Sequence, residues 1–303
     1  MLDHTVLRTD LRDAHGVVLA PRGFALSAAA VEEAARRAVA APRQLLGESV
    51  LAEDLALPLG DPAYRHLFPP AAAQEVRRAA LAARLPRALL DELEALRTFD
   101  PIRYRHAWST AAVTARLLLA GVGDSPAVAE LAVAGLLHDL GMRHVPFHLV
   151  RNADELSRRE VQVVAAHPLL GAYLIASSLG AHPAVEAALA HHWKNGQGYP
   201  VLARPPMRAV DVVAVASAFV ALTQARPFRP EPFDARGAVD LLVAEANMGQ
   251  RDPETLRLLV HALRGGRGEL RDVRLAQPRR GHGPEVNHHT PIAPRVVAPA
   301  ARG

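Results

Sequence analysis

The chain has no cysteine, one lysine and few aromatic residues, which make up 4% of its 303 positions. Without cysteine there are no disulfides, no thiolate metal sites and no cysteine nucleophile, and a reducing compartment is compatible with the sequence. With aromatics scarce and half the residues hydrophobic, alanine and leucine supply most of the apolar bulk. Both favour helices over strands, so packed helices are expected rather than a β-sandwich. Long apolar runs are also missing, since none reaches the ~18 residues needed to span a bilayer. The opening MLDHTVLRTD has no apolar stretch behind a basic flank, unlike a secretory signal. A cytoplasmic protein without membrane contact is expected. Lys194 being the only lysine, the pI near 10.0 comes from arginines, largely offset by 31 acidic residues. No aromatic-interleaved basic stripe accompanies them, so no nucleic-acid partner is expected.

Residues 4–26 are expected to form short strands, with turns at Asp13-Ala14-His15-Gly16 and Pro21-Arg22-Gly23. Ser27 opens a helix to about residue 40, prolines break up residues 41–70, and helical stretches follow at about 71–84 and 87–98. From Arg103 helix follows helix. Ser125-Pro126 supplies a cap and an N1 proline, and Gly141 a stop. Ser157 and Glu160 fit a capping box for a helix to about His167. Further helices are expected at 168–179, 183–193, 207–225, 234–247 and 253–264. The fold class is thus mainly α. Residues 1–98 form a small mixed β/α module plus a helical linker, 99–264 a helical domain, and 265–303, rich in Gly, Pro and Arg, a disordered tail. The tail histidines His282, His288 and His289 are read as solvated.

Five histidines and one aspartate stand where a polar side chain is costly. His138-Asp139 follows the apolar run AGLL, and such a pair must be partnered or bind a cation. Alone, it is explained as well by a helix end bonded to nearby backbone. His106 lies in the mostly apolar RYRHAWSTAAVTARLLLA, His167 precedes Pro168, and His191 and His192 are adjacent. As a set on the helices of one domain, they suit a site for divalent metal bound through imidazole and carboxylate.

Three stretches carry a specific resemblance. HDLGMRHVPFHLVRNADELSRREVQVVAAHPLLGAYLI (138–175), AHHWKNGQGYP (190–200) and VAVASAFVALTQARPFRP (213–230) resemble the HD-GYP family of HD-superfamily phosphohydrolases, over roughly residues 97–264. The segment DAHGVVLAPRGFALS looks, more loosely, like a glycine-punctuated module found ahead of some HD-GYP domains. The resemblance implies an HD-superfamily helical bundle that hydrolyses the bacterial second messenger cyclic di-GMP with one or two divalent metals, iron or manganese. The metals would acidify the attacking water and offset charge on the phosphate oxygens. Carried over by motif, His106, His138, Asp139, His167, His191 and His192 would be metal ligands, with Asp139 also the catalytic bridge. Arg226, Arg229 and Tyr199 would contact substrate, the arginines through a fork suited to phosphate. The Gly198-Tyr199-Pro200 loop would also meet a signalling protein partner.

The sequence departs from the pattern within this site. Ser217 stands where the family has a metal-binding aspartate, and Asp211, six residues earlier, lies about 240° round a helix from it. Met142 and Asn152 replace frequent lysines, Trp193 a glutamate and Asn195 an aspartate, and the loop before Gly198 is one residue shorter. Ile102 is not the carboxylate that some members use for a third metal. Two readings remain at this stage: a phosphodiesterase, weakened by these losses, or a catalytically degenerate module that binds a nucleotide or a protein.

Overall fold

A computed structural model describes residues 4–275 and 281–289. Four short strands open the chain: β1 (His4–Val6), β2 (Leu11–Arg12), β3 (Val18–Ala20) and β4 (Ala25–Ser27). β1 pairs antiparallel with β4, His4 opposite Ser27, and β2 with β3. The expected turn is built by Asp13, whose carboxylate accepts from the amides of His15 and Val17, both at 2.9 Å. Ser27 caps α1 (Ala28–Arg37). The apolar face of this module, Leu7, Leu11, Ala20 and Leu26, packs on Ala166, Leu169 and Leu170. It is thereby seated beside His167.

The next segment departs from expectation. β5 (Arg43–Leu45) pairs antiparallel with β6 (Arg84–Pro86) across α2 (Ala56–Leu59) and α3 (Pro70–Leu81), and α4 (Arg87–Phe99) follows. Three-residue strands show no alternation, and a partner some forty residues away leaves no local signal.

The rest is helical: α5 (Pro101–Val122), α6 (Pro126–Leu137), α7 (Phe147–Val150), α8 (Arg158–Val164), α9 (His167–Leu179), α10 (Pro183–Ala190), α11 (Arg208–Thr223), α12 (Ala235–Asn247) and α13 (Pro253–Leu263). Side chains at Asp100, Ser125, Asp234 and Asp252 cap four of them, and the Ser157/Glu160 capping box is present. α5 is buried on nearly every side and packs against α3, α4, α6, α11 and α13. One core joins Val31, Leu55 and Leu89 to Trp108, Val133 and Phe219, so packing does not break at the 98/99 boundary.

Two sequence expectations change. Residues 158–179 are apolar enough, taken together, to cross a membrane. In the fold they are α8 and α9, parted by a turn at 165–166, with most of α9 buried in the bundle. Described parts of the expected tail are also placed on the bundle. Val273 is buried, Asp234 Oδ2 accepts from the amide of His282, and the His289 ring lies 5.7 Å from Phe228. Residues 276–280 and 290–303 lie outside the described residues.

The turn Leu140–His144 carries a pH dependence. Burial, then the charge of neighbouring Arg143, drives His144 from 6.5 down to about 4. As pH falls the unfolded chain takes up this proton first. The contribution is therefore whole above pH 6.5 and lost towards pH 4, about 3 kcal/mol in all. His144→Gln is expected to lose less stability than the parent between pH 7.5 and 4.5, by about 2–3 kcal/mol in urea titrations. Parallel losses in the two proteins would exclude His144 as the source.

Candidate metal centre

Four helices deliver the expected ligands. His106 is mid-α5, His138 caps the C-terminus of α6 with Asp139 next, and His191 caps the C-terminus of α10 with His192 next. His167, expected at the end of a helix, instead begins α9 with Pro168 behind it. Proline reads as a stop after one helix but is equally at home in the first turn of another.

Gly141 is likewise not a helix stop. A Cβ there would lie 2.0 Å from the His167 carbonyl oxygen and 2.4 Å from the Gly171 nitrogen. Gly141 and Gly171 therefore let two backbones touch, bringing Asp139 alongside His167. Gly141→Ala is expected to cost about 3 kcal/mol, the upper range for overpacking, and to weaken metal binding with it. Denaturant melts and metal analysis check this; unchanged values would mean the contact is dispensable.

The His138 Nδ1 lies 2.7 Å from the Gly135 oxygen, His167 Nδ1 2.7 Å from that of Val164, and His191 Nδ1 3.0 Å from that of Ala188. A carbonyl only accepts, so each Nδ1 carries the hydrogen and each Nε2 presents a lone pair. The Nε2 atoms of His167 and His191 are 3.2 Å apart, and Asp139 Oδ1 lies 3.2 Å from the first and 3.7 Å from the second. Three acceptors converge without a donor among them. A cation resolves that conflict, so these residues fit a divalent metal.

The potential ligands form two groups, His167, His191 and His192, and His106, His138 and Asp139, each with its donor atoms within 4.8 Å of one another. Asp139 faces both, its Oδ2 lying 4.0 Å from His106 Nε2. Burial drives His138 down to about 4 and His106 and His192 well below their ordinary value, leaving the rings neutral as a ligand must be.

Ser217 sits inside this geometry. Its Oγ is 3.0 Å from His138 Nε2 and 3.4 Å from His106 Nε2. With hydrogen on His138 Nδ1, the serine hydroxyl donates to His138 Nε2 and occupies a lone pair that a metal would use. Asp211 lies elsewhere, its carboxyl pushed up by burial and then by Asp252. Met142 is buried against Val145 and Leu149, Trp193 packs on the main core, and Ile102 is exposed.

Tyr199 stacks on His192 with ring centroids 4.6 Å apart, and burial raises its hydroxyl well above the usual value, so it stays protonated. Gly198 makes the fold-back achievable, since a Cβ there would lie 1.5 Å from the His192 carbonyl oxygen. Arg226 is brought to the site, near enough for the Asp139 charge to act on it. Arg229 is not: its guanidinium donates to the carbonyls of Ala221 and Gln224 at the end of α11 and lies over Phe228 and Phe233. That is a helix-end cap, a role a motif carry-over cannot distinguish from phosphate binding. Arg103, one turn before His106, also reaches the site and was not singled out from sequence. Its Nη1 lies 3.4 Å from the Met142 oxygen and 3.7 Å from Asp100 Oδ2.

Comparison with known proteins agrees with this geometry. The HD domain family matches residues 94–255. A cyclic di-GMP phosphodiesterase of Pseudomonas aeruginosa is 32% identical over 59% of this chain and 44% of its own length. The cyclic di-GMP phosphodiesterase response regulator RpfG of Xanthomonas campestris is 33% identical over 47% of this chain and 38% of its own. A 3'3'-cGAMP-specific phosphodiesterase of Vibrio cholerae is 28% identical over 43% and 31%. The chain spans less than half the length of these relatives. With its histidine and aspartate motifs gathered in one buried centre, the chain belongs to the HD domain family, in its HD-GYP form.

Proposed function

We propose that this protein is a metal-dependent phosphodiesterase that hydrolyses cyclic di-GMP to the linear dinucleotide or to GMP. The observation that carries this reading is the meeting of two histidine groups at Asp139, with the lone pairs of His167 and His191 facing one another at 3.2 Å. His106, His138, Asp139, His167, His191 and His192 would hold one or two divalent ions, a role suited to imidazole and carboxylate donors; the family resemblance points to iron or manganese. Bound there, the ions supply Lewis-acid charge to a phosphate and lower the pKa of water.

The chain's own residues set up the rest. Backbone carbonyls fix the histidine tautomers, Arg226 offers a cation to a substrate phosphate, and the protonated Tyr199 stacks on His192 at the edge of the ligand set. A signalling partner would meet the exposed turn at Asn195, Gly196 and Gln197, because Gly198 and Pro200 are buried and Tyr199 is stacked inward. The second reading, a non-catalytic nucleotide- or protein-binding module, draws on one observation, the neutral Ser217 hydroxyl between His106 and His138.

The test is chromatography of cyclic di-GMP after incubation with purified protein and manganese or ferrous iron. Linear dinucleotide or GMP is expected, and its formation should stop on chelation. Nucleotide binding without turnover under either metal favours the second reading.

A further inference from the structure

We infer that Arg103 is a phosphate-binding residue of this centre, closing with Arg226 on a phosphate group of the ligand. The inference deepens the phosphodiester reading and rests on it for the identity of that ligand.

Both guanidinium groups are under-partnered. A charge-assisted N–H···O bond is ordinarily about 2.7–2.9 Å long, whereas the Arg103 Nη1 contacts are 3.4 Å to the Met142 carbonyl and 3.7 Å to Asp100 Oδ2. Asp100 is already engaged in capping α5, accepting from the Arg103 amide at 3.2 Å. The Arg103 side chain is 11% exposed, so water makes up little of the deficit. Arg226 makes no side-chain hydrogen bond to another described residue; its backbone bonds only to that of Arg229.

The charge of Arg226 also disfavours that of Arg103, and each feels Asp139. That single carboxylate faces His167 and His191 as well, so it cannot satisfy both arginines. An anion between them relieves burial and that repulsion together, and a phosphate offers the oxygens that a planar fork is built to hold. Metal ions at the histidines would add positive charge and strengthen the demand for that anion. Met142 supplies only a backbone oxygen here. Arg103 therefore provides, from α5, a cation that the 138–144 segment does not place at this point.

The test is calorimetric titration of the full chain, held in chelator to prevent turnover, with cyclic di-GMP and with inorganic pyrophosphate. Arg103→Gln is expected to weaken both ligands about 10- to 100-fold, the range for losing a hydrogen bond to a charged group. Arg103→Lys, which keeps charge but loses the fork, should fall between, and it stands in if the glutamine variant does not fold. Metal content should be unchanged in either. If the parent binds pyrophosphate but not cyclic di-GMP, and Arg103→Gln loses pyrophosphate, Arg103 keeps its role and the substrate reading falls. Pyrophosphate bound equally by parent and variants, or not bound by the parent at all, overturns the inference.

Discussion

Ser217→Asp is expected to tighten metal binding by at least ~10- to 100-fold and to raise hydrolysis of cyclic di-GMP in step. In the present protein the Ser217 hydroxyl donates to His138 Nε2 and lies 3.4 Å from His106 Nε2. An aspartate there cannot donate; it frees the lone pair and adds a second anion to the group formed by His106, His138 and Asp139. The same change has an opposite cost without metal. A buried carboxylate facing two lone pairs should destabilise the metal-free protein by about 1–3 kcal/mol. The prediction is thus a crossing: a lower Tm than the parent in chelator, and a higher one in manganese. Thermal melts under both conditions, with hydrolysis rates beside them, check it. A lower Tm in both, with no gain in rate, would mean that Ser217 does not occupy a ligand position.

Asp139→Asn is expected to remove metal binding from both groups and to lower any hydrolysis by at least ~10³-fold. Metal charge contributes several kcal/mol to phosphoryl chemistry, and about 1.4 kcal/mol corresponds to tenfold in rate. Asp139 is the carboxylate facing both histidine groups, 3.2 Å from His167 Nε2 and 4.0 Å from His106 Nε2. The amide of asparagine has the same shape but can donate hydrogen to lone pairs that otherwise face an anion. Metal-free Asp139→Asn should therefore be at least as stable as the parent, while the rise in Tm on adding manganese disappears. A variant that still gains stability from manganese would place the metal elsewhere.

Much of the helical domain was legible because its signals are local. Ser125 and Ser157 each mark a helix start within a few residues, and each cap is formed. The six expected ligands were legible for another reason, since each is a polar group in an apolar setting, and all six gather at one centre. What failed to show in the sequence depends on distance. The pairing of β5 with β6 joins two three-residue strands on either side of α2 and α3. Gly141 reads as a helix stop until His167 and Gly171 are brought against it. Arg229 and Arg103 could not be assigned from spacing, because one caps α11 and the other points into the site only once α5 is docked beside the Met142 segment. The described tail segments are poor in apolar residues, and their contacts include isolated backbone bonds such as that from the His288 amide to the Phe228 oxygen. Such contacts leave no hydrophobic period to read.

The converging lone pairs of His167 and His191, facing Asp139, are assigned as a divalent-metal site. Elemental analysis of protein purified without chelator, then titrated with manganese or ferrous iron under anaerobic conditions, tests it most directly. One to two ions per chain are expected, falling below ~0.3 in Asp139→Asn, because bound metal depends on deprotonated, correctly oriented ligands. Less than ~0.3 ion per chain in the parent after titration would contradict it.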